Sequence, residues 1–533
     1  MNIEKYCEFE YIKKEFRPST SYGKIYKENL KIISSQKELE KRYDAIEKAL
    51  EIRKKKRFNY DKIKYHLKNI PHIDIEKEFS DISDIFICKK FINNYTAICG
   101  LLNKKEKDFF GFYFDFKEIY DILNIEGFSD SFYLSDKYDK RLADVRNQIS
   151  EISKRIEQTK KEFLEKIKKD TGISPVEDFV VVESLDIKKN FTDYFNIEIY
   201  DSYRFVLKPK YPIEYIELIQ KREKILSEEK KLEAEVVKKL IEKINLFKNE
   251  IYKSISSILN LDIAFSSAEL AVKYSLKRPQ FGFKCIKVTE GFFIPLKEEL
   301  TKIGVNYVPL SFTFDNRINI IQGSNMGGKS VVLKTIGILQ LMAQCGFFVP
   351  AKEFKTQFFD SLYALTQDEV TKGLSNFAME IYDFIMVYKN IEEKKVLILA
   401  DEFAKTTNVS EAVSLINSII ADFSQRKNVF FFLATHFSGI SNFNNLDFLR
   451  MKGFNKNKYQ NFSDEKKEMD ISDKIKIINK FMDYEIIRIK NSSLNLSDAL
   501  EISKIIGLDK KLYENALKFL EGNYENSKSE KKS

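Results

Sequence analysis

Two long stretches of this chain carry apolar side chains at intervals of three and four and contain neither glycine nor proline. From Ser135 to Asp170 the apolar positions are Leu142, Val145, Ile149, Ile152, Ile156, Phe163 and Ile167. Between Pro212 and Leu276 they include Leu232, Val236, Leu240, Ile244, Phe247, Ile251 and Ile255. With charged residues in the gaps, this spacing predicts two long helices with one apolar seam each, as in a coiled coil. Proline suits the first position of a helix, so Pro212 predicts the start of the second. Such a helix of about sixty residues would extend roughly 90 Å, a lever more than a globular core. Between the two, Phe179–Val182, Tyr194–Tyr200 and Tyr203–Leu207 read as short strands. The pattern therefore predicts an antiparallel helical pair with a small β tip.

Downstream the period changes again. Ile318–Ile321, Val396–Ala400 and Val429–Ala434 are short and almost wholly apolar, as strands buried on both faces of a parallel sheet are. Each runs into residues with chemistry. The first leads to Gly323-Ser324-Asn325-Met326-Gly327-Gly328-Lys329-Ser330, the Gly-x4-Gly-Lys-Ser spacing of a phosphate-binding loop. A helical pattern (Val332, Leu333, Ile336, Leu339, Leu341) follows it, which is the context this motif needs. Glycines let backbone N–H groups turn onto phosphates, Lys329 brings a point charge, and the Ser330 hydroxyl can ligate Mg2+. Three of the chain's 18 glycines fall in this octet. The second strand ends in Asp401-Glu402, where Asp401 would hold Mg2+ through its water shell and Glu402 would polarise the water that attacks a γ-phosphate. The third ends in Thr435-His436, and His436, one of three histidines, is placed to sense that phosphate. ATP and Mg2+ are the expected ligands.

Composition narrows the class. At 533 residues and 43% hydrophobic, the chain can hold two or three domains with full cores. Five scattered cysteines without metal-ligand spacing suit a reduced, cytoplasmic protein. The charged start lacks a signal-peptide core, and no apolar run approaches twenty residues, which argues against a membrane span. A net charge of +9 permits nucleic-acid binding without arguing for it.

The phosphate loop, the Asp401-Glu402 strand end and Ala434-Thr435-His436-Phe437 resemble the ATPase domain of the MutS family. Phe348-Val349-Pro350-Ala351 is similar to the same family, and so is Gly373-Leu374-Ser375-Asn376-Phe377-Ala378-Met379-Glu380, its signature segment. Leu261-Asp262 through Ala271, with Arg278-Pro279, resembles the segment joining the family's lever helix to the ATPase, and Ala499 to Leu520 its C-terminal dimerisation helices. Ser19-Thr20-Ser21-Tyr22-Gly23-Lys24 resembles the start of the family's core domain, which leaves no room before it for a mismatch reader or connector.

The resemblance implies a multidomain α and α/β fold. Residues 1–134 would begin a helical core, 135–212 would form the first lever and a small β clamp, and 213–280 the returning lever. Residues 281–520 would be a P-loop (ABC-type) α/β ATPase with dimerisation helices, and 521–533 a disordered tail. It also implies a homodimer in which Ser375 of one subunit reaches the γ-phosphate bound by the other. Departures are clear. Phe403-Ala404-Lys405-Thr406-Thr407 stands where the family usually has Ile-Gly-Arg-Gly-Thr, Gly291-Phe292-Phe293-Ile294-Pro295 where it has Gly-Arg-His-Pro, and Asn376 replaces the signature threonine.

Two targets stay open. One is a clamp on duplex or branched DNA without mismatch reading. The other is a protein client, as for MutS-like reactivases of adenosylcobalamin-dependent aminomutases of the lysine 5,6-aminomutase type. The tip holds seven acidic residues (Glu177, Asp178, Glu183, Asp186, Asp193, Glu198, Asp201) against five basic ones (Lys188, Lys189, Arg204, Lys208, Lys210), a balance that disfavours phosphates.

Overall fold

The computed structural model describes residues 3–127, 134–174, 179–183, 191–323, 327–366, 376–392, 394–455, 478, 480–490 and 498–529. The chain is a mixed α and α/β protein that divides into two compact units, Tyr65–Ile258 and a second built from the residues up to Lys64 together with Leu259–Ser533.

In the first unit the two seams form helices Lys140–Thr171 and Ile213–Leu246. Leu142, Val145, Ile152 and Ile156 of one helix are buried, as are Leu232, Val236, Leu240 and Ile244 of the other. Arg146 ties the pair, with Nε 2.8 Å from Glu229 and Nη2 2.7 Å from Glu233. Pro212 is the cap preceding the second helix rather than its first residue. The expected single helix to Leu276 is interrupted at Phe247 (φ −99°), and a separate helix runs from Lys248 to Tyr274. Asn245 and Asn249, weak helix formers whose amides compete for backbone groups, flank the break. The tip is a three-stranded antiparallel sheet of β1 (Val180–Glu183), β2 (Phe195–Ile199) and β3 (Arg204–Pro209), with β3 central. Phe191, Phe195 and Leu207 close a small core on Ile167.

The helix Lys248–Tyr274 is long and apolar enough by composition to cross a membrane, so the expectation of no such run is corrected. Two-thirds of its apolar window (67%) is buried inside the protein, which makes it a core helix.

The second unit holds an antiparallel sheet of β4 (Ile286–Gly291), β5 (Leu310–Phe314) and β7 (Glu353–Lys355), and a six-stranded sheet. The latter runs β12 (Met482–Ile489), β11 (Leu446–Phe454), β6 (Ile318–Gln322), β10 (Val429–Thr435), β9 (Val396–Asp401) and β8 (Ser361–Leu365). All its neighbouring pairs are parallel except β11 with β12. β6 and β10 are buried along their whole length, and β9 up to its last residue, because helices cover the sheet; this is why their sequences do not alternate. Residues 19–23 are anchored into this unit by Asp262, which accepts hydrogen bonds from the Ser19 and Thr20 amides at 2.9 Å. At the other end the chain is helical over Asp498–Ile506 and Lys510–Ser529. From residue 521, where a tail is expected, the helix continues to Ser529; residues 530–533 lie outside the described residues.

Candidate functional site

The parallel register brings three strand ends to one edge of the sheet. Thr435 pairs with Gln322, and Ala434 with Asp401, so β6, β10 and β9 finish level with one another. Side chains at the carboxyl ends of such strands converge on one crevice. β6 turns through the glycine-rich loop into the helix Lys329–Gln344, which Gly328 caps at φ 86°. A Cβ at Gly328 would strain that backbone and lie 3.1 Å from the Tyr484 ring, so glycine is required twice over.

Lys329 is buried, at 3% exposure, and its Nζ donates to the Gly323 carbonyl at 2.8 Å. The Ser330 hydroxyl donates to Asp401 Oδ1 at 3.0 Å. The other oxygen, Oδ2, accepts from the Tyr6 hydroxyl, also at 3.0 Å. Glu402 sits in a left-handed conformation (φ 53°) with its amide bonded to the Ala434 carbonyl, which turns its side chain out of β9. One Glu402 oxygen accepts from Lys405 at 2.6 Å, and the other lies 3.9 Å from His436 Nδ1. That nitrogen is buried and has no hydrogen-bond partner among the described residues.

Burial dominates the electrostatics. It lifts the Asp401 carboxyl above the ordinary range, against the hydrogen bonds from Ser330 and Tyr6. It pulls the Lys329 ammonium down, against the attraction of Glu402 and Asp401. It also lowers the His436 imidazole, with Glu402 opposing and Lys329 and Lys405 adding to the shift. For Glu402 burial pushes up, but Lys405, Lys329 and His436 together hold the carboxyl below its usual value. Glu402 is thus kept ionised and His436 neutral near neutral pH.

Of the residues singled out in the sequence, Gly323, Gly327, Gly328, Lys329, Ser330, Asp401, Glu402 and His436 lie on this edge. Ser324, Asn325, Met326 and Ser375 lie outside the described residues. Sequence reasoning missed three neighbours. Lys405 stands three residues beyond Glu402 and could have been read as an ion-pair partner. Tyr484 and Tyr6 carry no local signal; Tyr6 is 395 positions from the carboxylate it touches.

Residues 319–519 match the family model described as MutS domain V. The chain is 31% identical over 235 residues to an "Endonuclease MutS2" of Lactobacillus helveticus, covering 42% of this chain and 28% of that protein. It is 28% identical over 298 residues to a "DNA mismatch repair protein MutS" of Thermotoga petrophila, 54% of this chain and 36% of that one. A protein of the same description from Persephonella marina is 25% identical over 392 residues, 70% of this chain and 41% of its own length. The chain thus covers less than half the length of each of these relatives. The matched region begins inside β6 and takes in the phosphate loop, the Asp401-Glu402 end and His436, so the resemblance read from these motifs holds: residues 319–519 form a MutS-family domain V.

Proposed function

We propose that the chain binds ATP with Mg2+ at the loop between β6 and the Lys329–Gln344 helix and hydrolyses it to ADP and phosphate. One observation carries this reading: Ser330 and Asp401 meet at 3.0 Å over a buried Lys329, with Glu402 and His436 alongside. Lys329 exchanges the Gly323 carbonyl for the β- and γ-phosphates, and the loop amides cradle them. Ser330 and Asp401 fit Mg2+, since both offer hard oxygen. Among the described residues no group of three His, Cys, Asp or Glu could hold a metal alone, so phosphate and water would complete the sphere. Bound there, Mg2+ supplies charge neutralisation at the phosphate oxygens. Glu402 orients and polarises the attacking water, and His436 lies within reach of the γ-phosphate.

This reading includes a homodimer with Ser375 acting across subunits and a helical hairpin that serves as an ATP-gated lever and clamp on DNA. A second target is favoured by a specific observation. Among the described residues the tip's three cations are engaged within the tip: Arg204 pairs with Asp201 and Lys208 with Glu198, each at 2.6 Å, and Lys210 donates to the Thr192 carbonyl; Lys188 and Lys189 lie outside the described residues. Cations already paired in this way neutralise phosphates poorly, so a protein client such as a B12-dependent aminomutase is the alternative.

Two experiments test these claims. Lys329→Ala is expected to lose fluorescent-ATP binding; undiminished binding would refute the nucleotide site. Fluorescence anisotropy at near-physiological salt is expected to give DNA affinity no tighter than the micromolar range of non-specific contacts, equal for matched and mismatched duplex. Nanomolar binding to a four-way junction would remove the protein-client alternative.

A further inference from the structure

We infer that Tyr6 is a positioning residue for the metal-holding carboxylate, and that the N-terminal segment Ile3–Phe16 is a strap that keeps it in place. The inference rests on the ATPase reading above. Both oxygens of Asp401 are committed, Oδ1 to Ser330 and Oδ2 to the Tyr6 hydroxyl. A half-buried carboxylate held from one side only could rotate about its last bond. With Tyr6 on Oδ2, Oδ1 is the oxygen fixed toward the phosphate loop.

The contact is supported on every side. Ile3, Cys7, Phe9, Ile12 and Phe16 are all buried, and the Phe16 ring meets Phe347 edge-on at 5.1 Å. Glu8 pairs with Lys334 on the phosphate-loop helix at 2.7 Å, and the Lys334 ammonium lies 5.8 Å from the Tyr6 ring centroid. Cys7 reaches the same helix at Gly337, where an added Cβ would stand 2.4 Å from the Cys7 sulfur and 2.8 Å from Leu399 Cδ1. Glycine in mid-helix is unfavourable unless something needs the space. Here it admits the residue next to Tyr6. The strap therefore touches the helix that begins with Lys329 and Ser330, and the strand that ends in Asp401, at once.

The chemistry predicts a defect confined to Mg2+. Tyr6→Phe keeps the ring and its packing while removing the donor to Asp401. A hydrogen bond to a charged group is worth roughly a tenfold change or more in affinity. The affinity of a fluorescent ATP analogue should therefore gain about tenfold less from added Mg2+ than in the wild type. Affinity in EDTA should be unchanged, and the Mg2+ concentration giving half-maximal hydrolysis should rise by a similar factor. Gly337→Ala, which presses on Cys7 with Tyr6 intact, should show the same signature. A wild-type Mg2+ response in Tyr6→Phe would overturn the inference while leaving the ATPase reading intact. So would equal losses with and without Mg2+, which denote packing alone. Wild-type protein that binds no nucleotide would remove both.

Discussion

Glu380 makes a quantitative test of the fold around the site. It lies on the helix Asn376–Tyr388, whose Phe377, Ile381 and Phe384 pack on the core of the parallel sheet. Its side chain is buried, and neither carboxyl oxygen has a hydrogen-bond partner among the described residues. Burial raises the group from its ordinary 4.5 to about 7. An acid whose folded value is raised binds a proton in the fold that the unfolded chain has already lost. Stability therefore falls as pH rises from about 4.5 to about 7, with the cost absent below that window and complete above it. At about 1.36 kcal/mol per unit, the cost at pH 8 is about 3 kcal/mol. Glu380→Gln keeps the shape and removes the charge. It should be more stable than wild type by about 2–3 kcal/mol at pH 8, and the two should converge near pH 5. The chain has no tryptophan, so urea midpoints would be followed by circular dichroism across that range. Parallel profiles, or a variant weaker at pH 8, would show that the carboxylate is ionised and paired and would refute the reasoning.

Other predictions follow from the same edge of the sheet. Ala404 occupies a left-handed conformation (φ 62°) with its methyl fully buried, so in Ala404→Gly relief of strain should offset the lost methyl and stability in the same urea assay should change by less than about 1 kcal/mol; a larger loss would show that packing outweighs the strain. Lys405→Met should free Glu402 from its closest cation and raise that carboxyl, so the acid limb of hydrolysis should move to higher pH; an unmoved limb would show that Lys405 does not govern Glu402. Ser375→Ala and Lys329→Ala subunits, each inactive alone, should restore hydrolysis in a mixed dimer; a verified mixed dimer with no activity would remove the shared site.

The elements whose sequence has one dominant period were readable. The strands β6, β9 and β10 fall within a residue of the apolar runs that announce them, and the two helices lie on the predicted seams although the second ends early, because burial on a single face or on both faces writes itself into hydrophobic spacing. The convergence of Lys329, Ser330, Asp401, Glu402 and His436 was legible too, since parallel strands bring their carboxyl ends to one edge. The interruption at Phe247 was not, because the apolar stripe runs through it undisturbed. Nor was the hydrophobic helix Lys248–Tyr274, whose apolar stretch is divided by serines and single charged residues. Tyr6 was invisible for a different reason: a hydroxyl delivered across 395 positions has no period, and tertiary packing, Cys7 on Gly337 included, brings it to Asp401.

The central claim is that Glu402 activates water for attack on a nucleotide held by Lys329, Ser330 and Asp401. Single-turnover hydrolysis of radiolabelled ATP by Glu402→Gln, with binding measured in the same sample, tests it most directly. The account predicts ATP and Mg2+ affinity close to wild type and hydrolysis at least tenfold slower, because the amide cannot take the proton while the metal-holding oxygens are untouched. Turnover equal to wild type, with ATP bound, would contradict it.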